Sequence, residues 1–304
     1  MVPLQVSTWP WYYVAIYFFF GGIAAGAYLL AGMTAVFGDE QKDKALIRWS
    51  TYLAAILVLI CPILLILDLG QELRFWRMLT QFKLLSPVSL GSWGLLLFGF
   101  FAVLSSLIFM AEDGILKIGA GFLTRLPHRL LMRIGAFFGI FVAGYTGVLL
   151  SSTVIPFWNN NQLLGLTFLV SGLSTALAGV TLLLMWRGYH KVADDHNFHS
   201  LELILLGFEV LLVIWMVFQE GGNILLTGQF IITFVVAVAV LGVLIPMIVL
   251  LLYRERAMPS GVLALTSLLI LIGGFFLRYS VLEAGKASVG GAEHALLLFR
   301  MLFG

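Results

Sequence analysis

The chain has 304 residues, 61% hydrophobic and 11% charged, with a formal net charge of +2. Soluble domains carry roughly 25% charged residues, so this composition excludes a solvated globular fold. The small positive charge is spread over short loops and gives no ground for nucleic-acid binding. The one cysteine, Cys61, can neither close an internal disulfide nor hold an iron–sulfur cluster.

Apolar stretches of about 18 residues or more recur along the whole length, each able to cross a hydrocarbon core of ~30 Å. In lipid the backbone must bond to itself, so these stretches are helices. The pattern predicts spans at 11–37, 49–67, 89–111, 131–153, 162–186, 199–219, 229–253 and 260–282, then an amphipathic tail, 283–304. The expected fold is an all-α integral membrane protein of eight transmembrane helices. A cleavable signal peptide is not expected, because the start lacks a basic stretch and its first apolar run is too long.

The first span reads FFFGGIAAGA from Phe18, and the fifth reads FLVSGLSTAL from Phe168. Both place Phe four residues before Gly, then small residues. A repeat of this kind fits two related four-helix bundles, 1–153 and 154–282. Small residues at helix contacts are common in any membrane bundle, which leaves plain packing as the alternative.

Basic residues divide unevenly among the connections. The odd connections and their helix edges hold Lys42, Lys44, Arg48, Lys117, Arg125, Arg129, Arg133, Arg187, Lys191, Arg254 and Arg256. The N-terminal segment and the fourth and sixth connections hold none. The positive-inside rule then makes the odd loops cytoplasmic and puts both termini, with loop 68–88, on the outer side. That loop keeps Arg74, Arg77 and Lys83 against the bias, which marks it as a candidate docking surface.

Ionisable groups at membrane depth are costly and usually functional. Asp68 ends the second span. Arg278 lies about 6 Å, and Tyr145 about 12 Å, from the outer ends of their spans. Tyr13 and Tyr17 open the first span. Four helices thus bring polar groups to one depth in the outer leaflet. Each has a structural alternative: belt aromatics for Tyr13 and Tyr17, snorkelling for Arg278, a cap or a pair with Arg74 for Asp68, and a packed ring for Tyr145. Glu209, mid-span in the sixth helix, fits either a proton relay or a structural hydrogen bond. His190, His196 and His199 cluster at the cytoplasmic mouth of that helix and read as solvated loop histidines. None of the five histidines lies at the centre of a span, so the inward-facing pairs of a haem b anchor are missing. Phosphate-binding loops and metal-ligand spacings are missing too.

Several segments form a recognisable set: WPWYYVAIYFFFGGIAAGAYLL from Trp9, PILLILDLGQELRFWRML from Pro62, SPVSLGSWG from Ser86, GYTGVLLS from Gly144 and FLRY from Phe276. Over nearly the whole chain this resembles the NrfD/PsrC family of polysulfide-reductase-like membrane subunits. The resemblance implies a haem-free, quinone-reactive anchor in a prokaryotic inner membrane, with no iron–sulfur cluster of its own. It implies a ferredoxin-like [4Fe–4S] partner subunit on the outer face, a molybdopterin catalytic subunit, and menaquinone or ubiquinone as the membrane carrier. On the matching motifs, Asp68 and Tyr145 belong to the quinone and proton site. Gln71, Glu72, Arg74, Arg77 and Lys83 belong to the docking surface. Polysulfide-reductase-type members carry Asn and His near the start of the first span, where this chain has Tyr13 and Tyr17. Tyrosine donates a hydrogen bond but accepts no proton near neutral pH, which moves the proton chemistry onto Asp68. Arg278 is then expected to set the site potential, and Glu209 to link the site toward the cytoplasm. The rival readings are a purely structural anchor and a secondary transporter or ion-translocating module.

Overall fold

The computed structural model describes residues 11–38, 43–68, 80, 86–117, 119–189, 196–254, 256 and 258–303. Eight helices are long and apolar enough to cross a membrane, and no strand occurs among the described residues. They are α1 (Trp11–Phe37), α2 (Lys44–Asp68), α3 (Pro87–Glu112), α4 (His128–Ser151), α5 (Leu164–Trp186), α6 (His196–Phe218), α7 (Ile231–Leu252) and α8 (Ser260–Phe303). Successive helices alternate in direction. The face where α1 starts is called the far face, and the face of the odd, Lys- and Arg-bearing connections the basic face.

Local chemistry explains several ends. Ser86 caps α3 by accepting the Ser89 N–H at 3.5 Å, and Pro87 sits in the first turn, where a missing N–H costs nothing. Gly188 follows α5 with φ +85°, the left-handed exit that glycine adopts without penalty. α8 departs from the expected break at 282. It continues unbroken through the tail, and Glu283 pairs with Lys286 at 2.8 Å along its surface. An i,i+3 pair of this kind satisfies both charges on the helix itself.

Packing follows the small residues. α1 lies against α2, α4, α5 and α8; α3 packs on α2 and α4; α5 packs on α4, α6 and α8; and α7 packs mainly on α8. The repeated segments of α1 and α5 meet each other at equivalent positions. Phe18 packs on Phe168 at 5.8 Å between ring centroids. A Cβ added to Gly172 would lie 3.3 Å from the Gly22 Cα, and one on Gly26 would lie 2.6 Å from the Ala176 Cβ. Backbones approach this closely only where side chains are absent. At the basic face Arg48 of α2 bonds Glu112 at 2.9 Å and pairs with Asp113, while Tyr52 donates to Asp113 at 3.1 Å. Arg187 lies 4.0 Å above the Trp49 ring and ties α5 to α2.

α7 is unusual. Residues Ile231–Leu244 form a π-helix that passes into α-helix at Ile245, whose N–H returns to Val240 O. Pro246, in the first turn of the α-helical part, has no N–H to give to the ladder. Gly242 and Gly273 meet backbone to backbone, and a Cβ on Gly242 would stand 2.4 Å from the Gly273 Cα. Gly242→Ala should therefore lower stability by about 1–3 kcal/mol, whereas Gly121→Ala, with nothing within 4 Å of the added carbon, should be silent. Thermal unfolding of the two variants in detergent checks this.

Candidate functional site

Tyr17 and Tyr145 come together near the far face. Each lies six residues inside its helix end, about 9 Å from that face. Tyr17 is buried beside Cys61 of α2 and Tyr145 of α4. The Tyr145 hydroxyl donates to the Pro87 carbonyl, which anchors α4 to the first turn of α3. Gly91 makes room for its ring: a Cβ there would overlap it. On the other side the ring stacks on Phe141, with centroids 5.5 Å apart and planes 21° apart. Phe141 is 37% exposed, so an aromatic wall runs from the lipid surface to Tyr145 and on toward Tyr17. Tyr13 is half-buried and packs on Tyr12 at 4.3 Å. Asp68 is the half-buried last residue of α2 and has a contact partner.

Arg278 stands elsewhere. Its neighbours are Phe18, which follows Tyr17 but points about 100° away from it around α1, and residues of α5 and α8. The side chain is completely buried. Its Nε donates to Phe18 O at 3.2 Å, Nη1 to Gly274 O at 2.6 Å and to Ser171 Oγ at 3.2 Å, and Nη2 to Phe168 O at 3.4 Å. Phe18 and Phe168 are the equivalent residues of the two repeated segments, and each precedes its glycine by four. The absence of a Cβ at Gly22 leaves room for the guanidinium, since a Cβ there would lie 2.7 Å from Nη2, while Gly172 makes room for the Gly22 backbone. The Phe19 and Phe168 rings lie 5.8 and 5.6 Å from the guanidinium carbon. Snorkelling is thus excluded. Because α8 runs on past 282, Arg278 sits deeper than the ~6 Å expected, about 10 Å inside the starts of α1 and α5.

The Ser171 hydroxyl also lies beside the Glu209 carboxyl, so one serine stands between the carboxyl of α6 and the arginine of α8. One turn nearer the basic face, Ser174 Oγ lies 2.5 Å from Glu202 Oε1. Glu202 and Glu209 are both buried, and seven residues of helix put them on one face of α6. His199 is buried too, not solvated as the sequence suggested. His190 and the side chain of His196 lie outside the described residues. Sequence reasoning passed over Glu202 because it sits three residues inside the expected span edge at 199, where a carboxylate looks like an ordinary helix-end charge. Its spacing of seven from Glu209 was the available signal.

The fold therefore gathers Tyr17 and Tyr145 with Cys61, and separately gathers Arg278 with Glu209. Two cavities among the described residues, one beside Glu202 and one beside Glu220, are lined by none of Tyr13, Tyr17, Asp68 or Tyr145. The predicted docking residues Gln71, Glu72, Arg74, Arg77 and Lys83 lie outside the described residues. Among those described, no three His, Cys, Asp or Glu side chains are grouped as metal ligands.

Comparison with known proteins places this architecture. The family profile described as polysulphide reductase, NrfD, matches residues 2–290. The chain belongs to the NrfD family. Among NrfD-family relatives, it is 30% identical to the C subunit of polysulfide reductase from Wolinella succinogenes, over 94% of this chain and 97% of that one. It is 27% identical to an NrfD homologue of Haemophilus influenzae, over 95% and 98% of the two chains. Identity to NrfD of Escherichia coli is 25%, over 93% and 96%. The family resemblance read from the motifs therefore holds across the membrane domain.

Removing one partner of a buried charge pair strands the other. Arg278→Met in this NrfD-family chain should cost about 3–5 kcal/mol, and adding Glu209→Gln should recover part of the loss. Thermal unfolding of the single and double variants in detergent measures both.

Proposed function

We propose that this NrfD-family protein is the membrane subunit of a respiratory oxidoreductase complex and exchanges electrons and protons between a membrane quinone and an iron–sulfur partner subunit. The observation that carries the reading is the Tyr17–Tyr145 cluster, held by four helices at one depth below the far face and reached from the lipid along Phe141. A quinone is a flat ring on an isoprenoid tail, and this site offers a half-open aromatic wall with phenolic hydroxyls at its inner end. Menaquinone or ubiquinone bound there would supply two-electron, two-proton chemistry, while the chain's own residues position, shield and protonate.

Each residue has a distinct task in this reading. Tyr145 and Tyr17, with Tyr13 nearer the surface, orient the carrier by hydrogen bonding and ring contact. Neither phenol takes up a proton at neutral pH, so Asp68, at the end of α2, is the group that exchanges protons. Arg278 lies around α1 from Tyr17, on the Phe18 side, and its fixed positive charge biases the site toward holding added electrons. Glu209 extends the proton chemistry toward the basic face. That face is cytoplasmic in this reading; both termini and loop 68–88 lie on the periplasmic side of the inner membrane. The same loop, through Gln71, Glu72, Arg74, Arg77 and Lys83, receives a ferredoxin-like [4Fe–4S] subunit, which in turn contacts a molybdopterin catalytic subunit. The packing pattern supports two four-helix bundles, 1–153 and 154–282, joined through α1 and α5.

Asp68→Asn should abolish quinone-coupled turnover of the assembled complex while the partner subunits still co-purify. Turnover measured with a quinol or quinone analogue decides this; an unchanged rate would remove Asp68 from the proton chemistry. Absence of quinone from the purified complex, together with turnover insensitive to quinone-site inhibitors, would leave an anchor alone.

A further inference from the structure

The buried carboxyl, guanidinium and imidazole side chains among the described residues are His199, Glu202, Glu209 and Arg278, and all four belong to α6 and α8. Glu209 lies next to the guanidinium, and Glu202 stands seven residues away on the same face of α6. Ionised together with Arg278 the two carboxyl groups would leave a net negative charge in a medium that penalises an unpaired ion heavily. Protonating one of the two carboxyls restores neutrality. Beside Glu202 stands His199, while α5 presents Ser171 and Ser174, α8 presents Thr266 and Ser267 as well as Arg278, and α7 presents Leu250.

Geometry gives the proton two places to sit. Glu209 lies beside Ser171, which bonds Arg278, and Glu202 is joined through Ser174 to the same face of α5. The second oxygen of Glu202, Oε2, is buried without a hydrogen-bond partner. An unsatisfied carboxyl oxygen is a costly arrangement that calls for a proton or a water. Beside it lies a cavity of about 20 Å³, lined by Glu202, His199, Thr181, Thr266 and Ser267, large enough for one water molecule. His199 is in the first turn of α6, at the basic face. Imidazole, carboxyl and hydroxyl groups are therefore spaced between that face and Arg278, with Glu202 bonded to Ser174 and Ser171 bonded to Arg278.

We propose that Glu202 and Glu209 form a proton-storage dyad that holds one proton between them and exchanges it with the basic face through the His199 cavity. The proton moves without any redox step: it leaves one carboxyl oxygen as another takes it up, with the Ser174 and Ser171 hydroxyls as intermediate donors and acceptors. The dyad extends the quinone reading by giving the second half of the chain a task, but its presence is testable without quinone turnover.

Infrared difference spectroscopy of the purified complex in H2O and D2O is the test. Each single variant, Glu202→Gln and Glu209→Gln, should lose one deuterium-sensitive carboxylic-acid C=O band, because the remaining carboxyl ionises against Arg278. The double variant should lose no more acid intensity than either single one. Glu202→Asp, which keeps a carboxyl group, should retain the band and controls for assembly. Loss of two bands in the double variant, loss in only one of the single variants, or no loss at all would overturn the dyad. Ser267→Leu, which fills the cavity, should slow deuterium exchange of the band at least tenfold, and unchanged exchange would overturn the route. Asp68→Asn should leave the band in place, so failure of the quinone assignment and failure of the dyad are read separately.

Discussion

Arg278 places a full positive charge where no solvent reaches, and the crossing of α1 and α5 is built to solvate it. The carbonyls of Phe18 and Phe168, the Gly274 carbonyl and the Ser171 hydroxyl replace water around the guanidinium. Helix carbonyls already accept one bond within the helix, and each has a second lone pair available. Reaching that lone pair requires that no Cβ stand in the way, which is met at Gly22, four residues after Phe18, while Gly172 lets the two backbones come together. Gly22, which permits close helix approach, is thus also the residue that lets a cation be buried. Replacing the arginine by lysine would not preserve this, since a point charge does not span carbonyls on two helices as a planar fork does.

The same crossing sets out two chemically different halves. On one side of α1, Tyr17 meets Cys61 and Tyr145 in an environment of aromatic rings and a half-exposed ring wall. Further around the helix, on the Phe18 side, lie Ser171, Glu209 and Glu202. Adjacent residues of one helix point about 100° apart, so Tyr17 and Phe18 deliver their neighbours to separate sites only a helix width from each other. Electron-transfer chemistry and proton storage can in this way sit close together without sharing side chains, coupled through the charge of Arg278.

Much of this was legible in the sequence. Spans of this length have one stable conformation in lipid, so their number followed from hydropathy alone, and apart from the far end of α8 the ends moved by only a few residues. The glycine–phenylalanine repeat marks two similar segments in α1 and α5, but not that they meet each other. The grouping of the polar residues was less legible, because spacing along a helix gives depth while partner choice depends on rotation and tilt. Tyr17 and Arg278 share a depth yet face different helices. Glu202 resembles a helix-end charge until α5 brings Ser174 to it. The depth of Arg278 was misjudged because nothing in residues 283–289 stops α8: the Glu283–Lys286 pair lets charged residues continue the helix.

The guanidinium's four hydrogen bonds also restrain motion. Bonds to a charged donor are each worth roughly 1.5–3 kcal/mol, and here they fasten three helices, one from each end of the chain and one from its middle. A rocker-switch cycle, in which the two halves tilt apart to open alternately on either side, would have to break the one bond that crosses between the halves, Nε to the Phe18 carbonyl, and part the Gly22–Gly172 contact. At this point the crossing acts as a rivet.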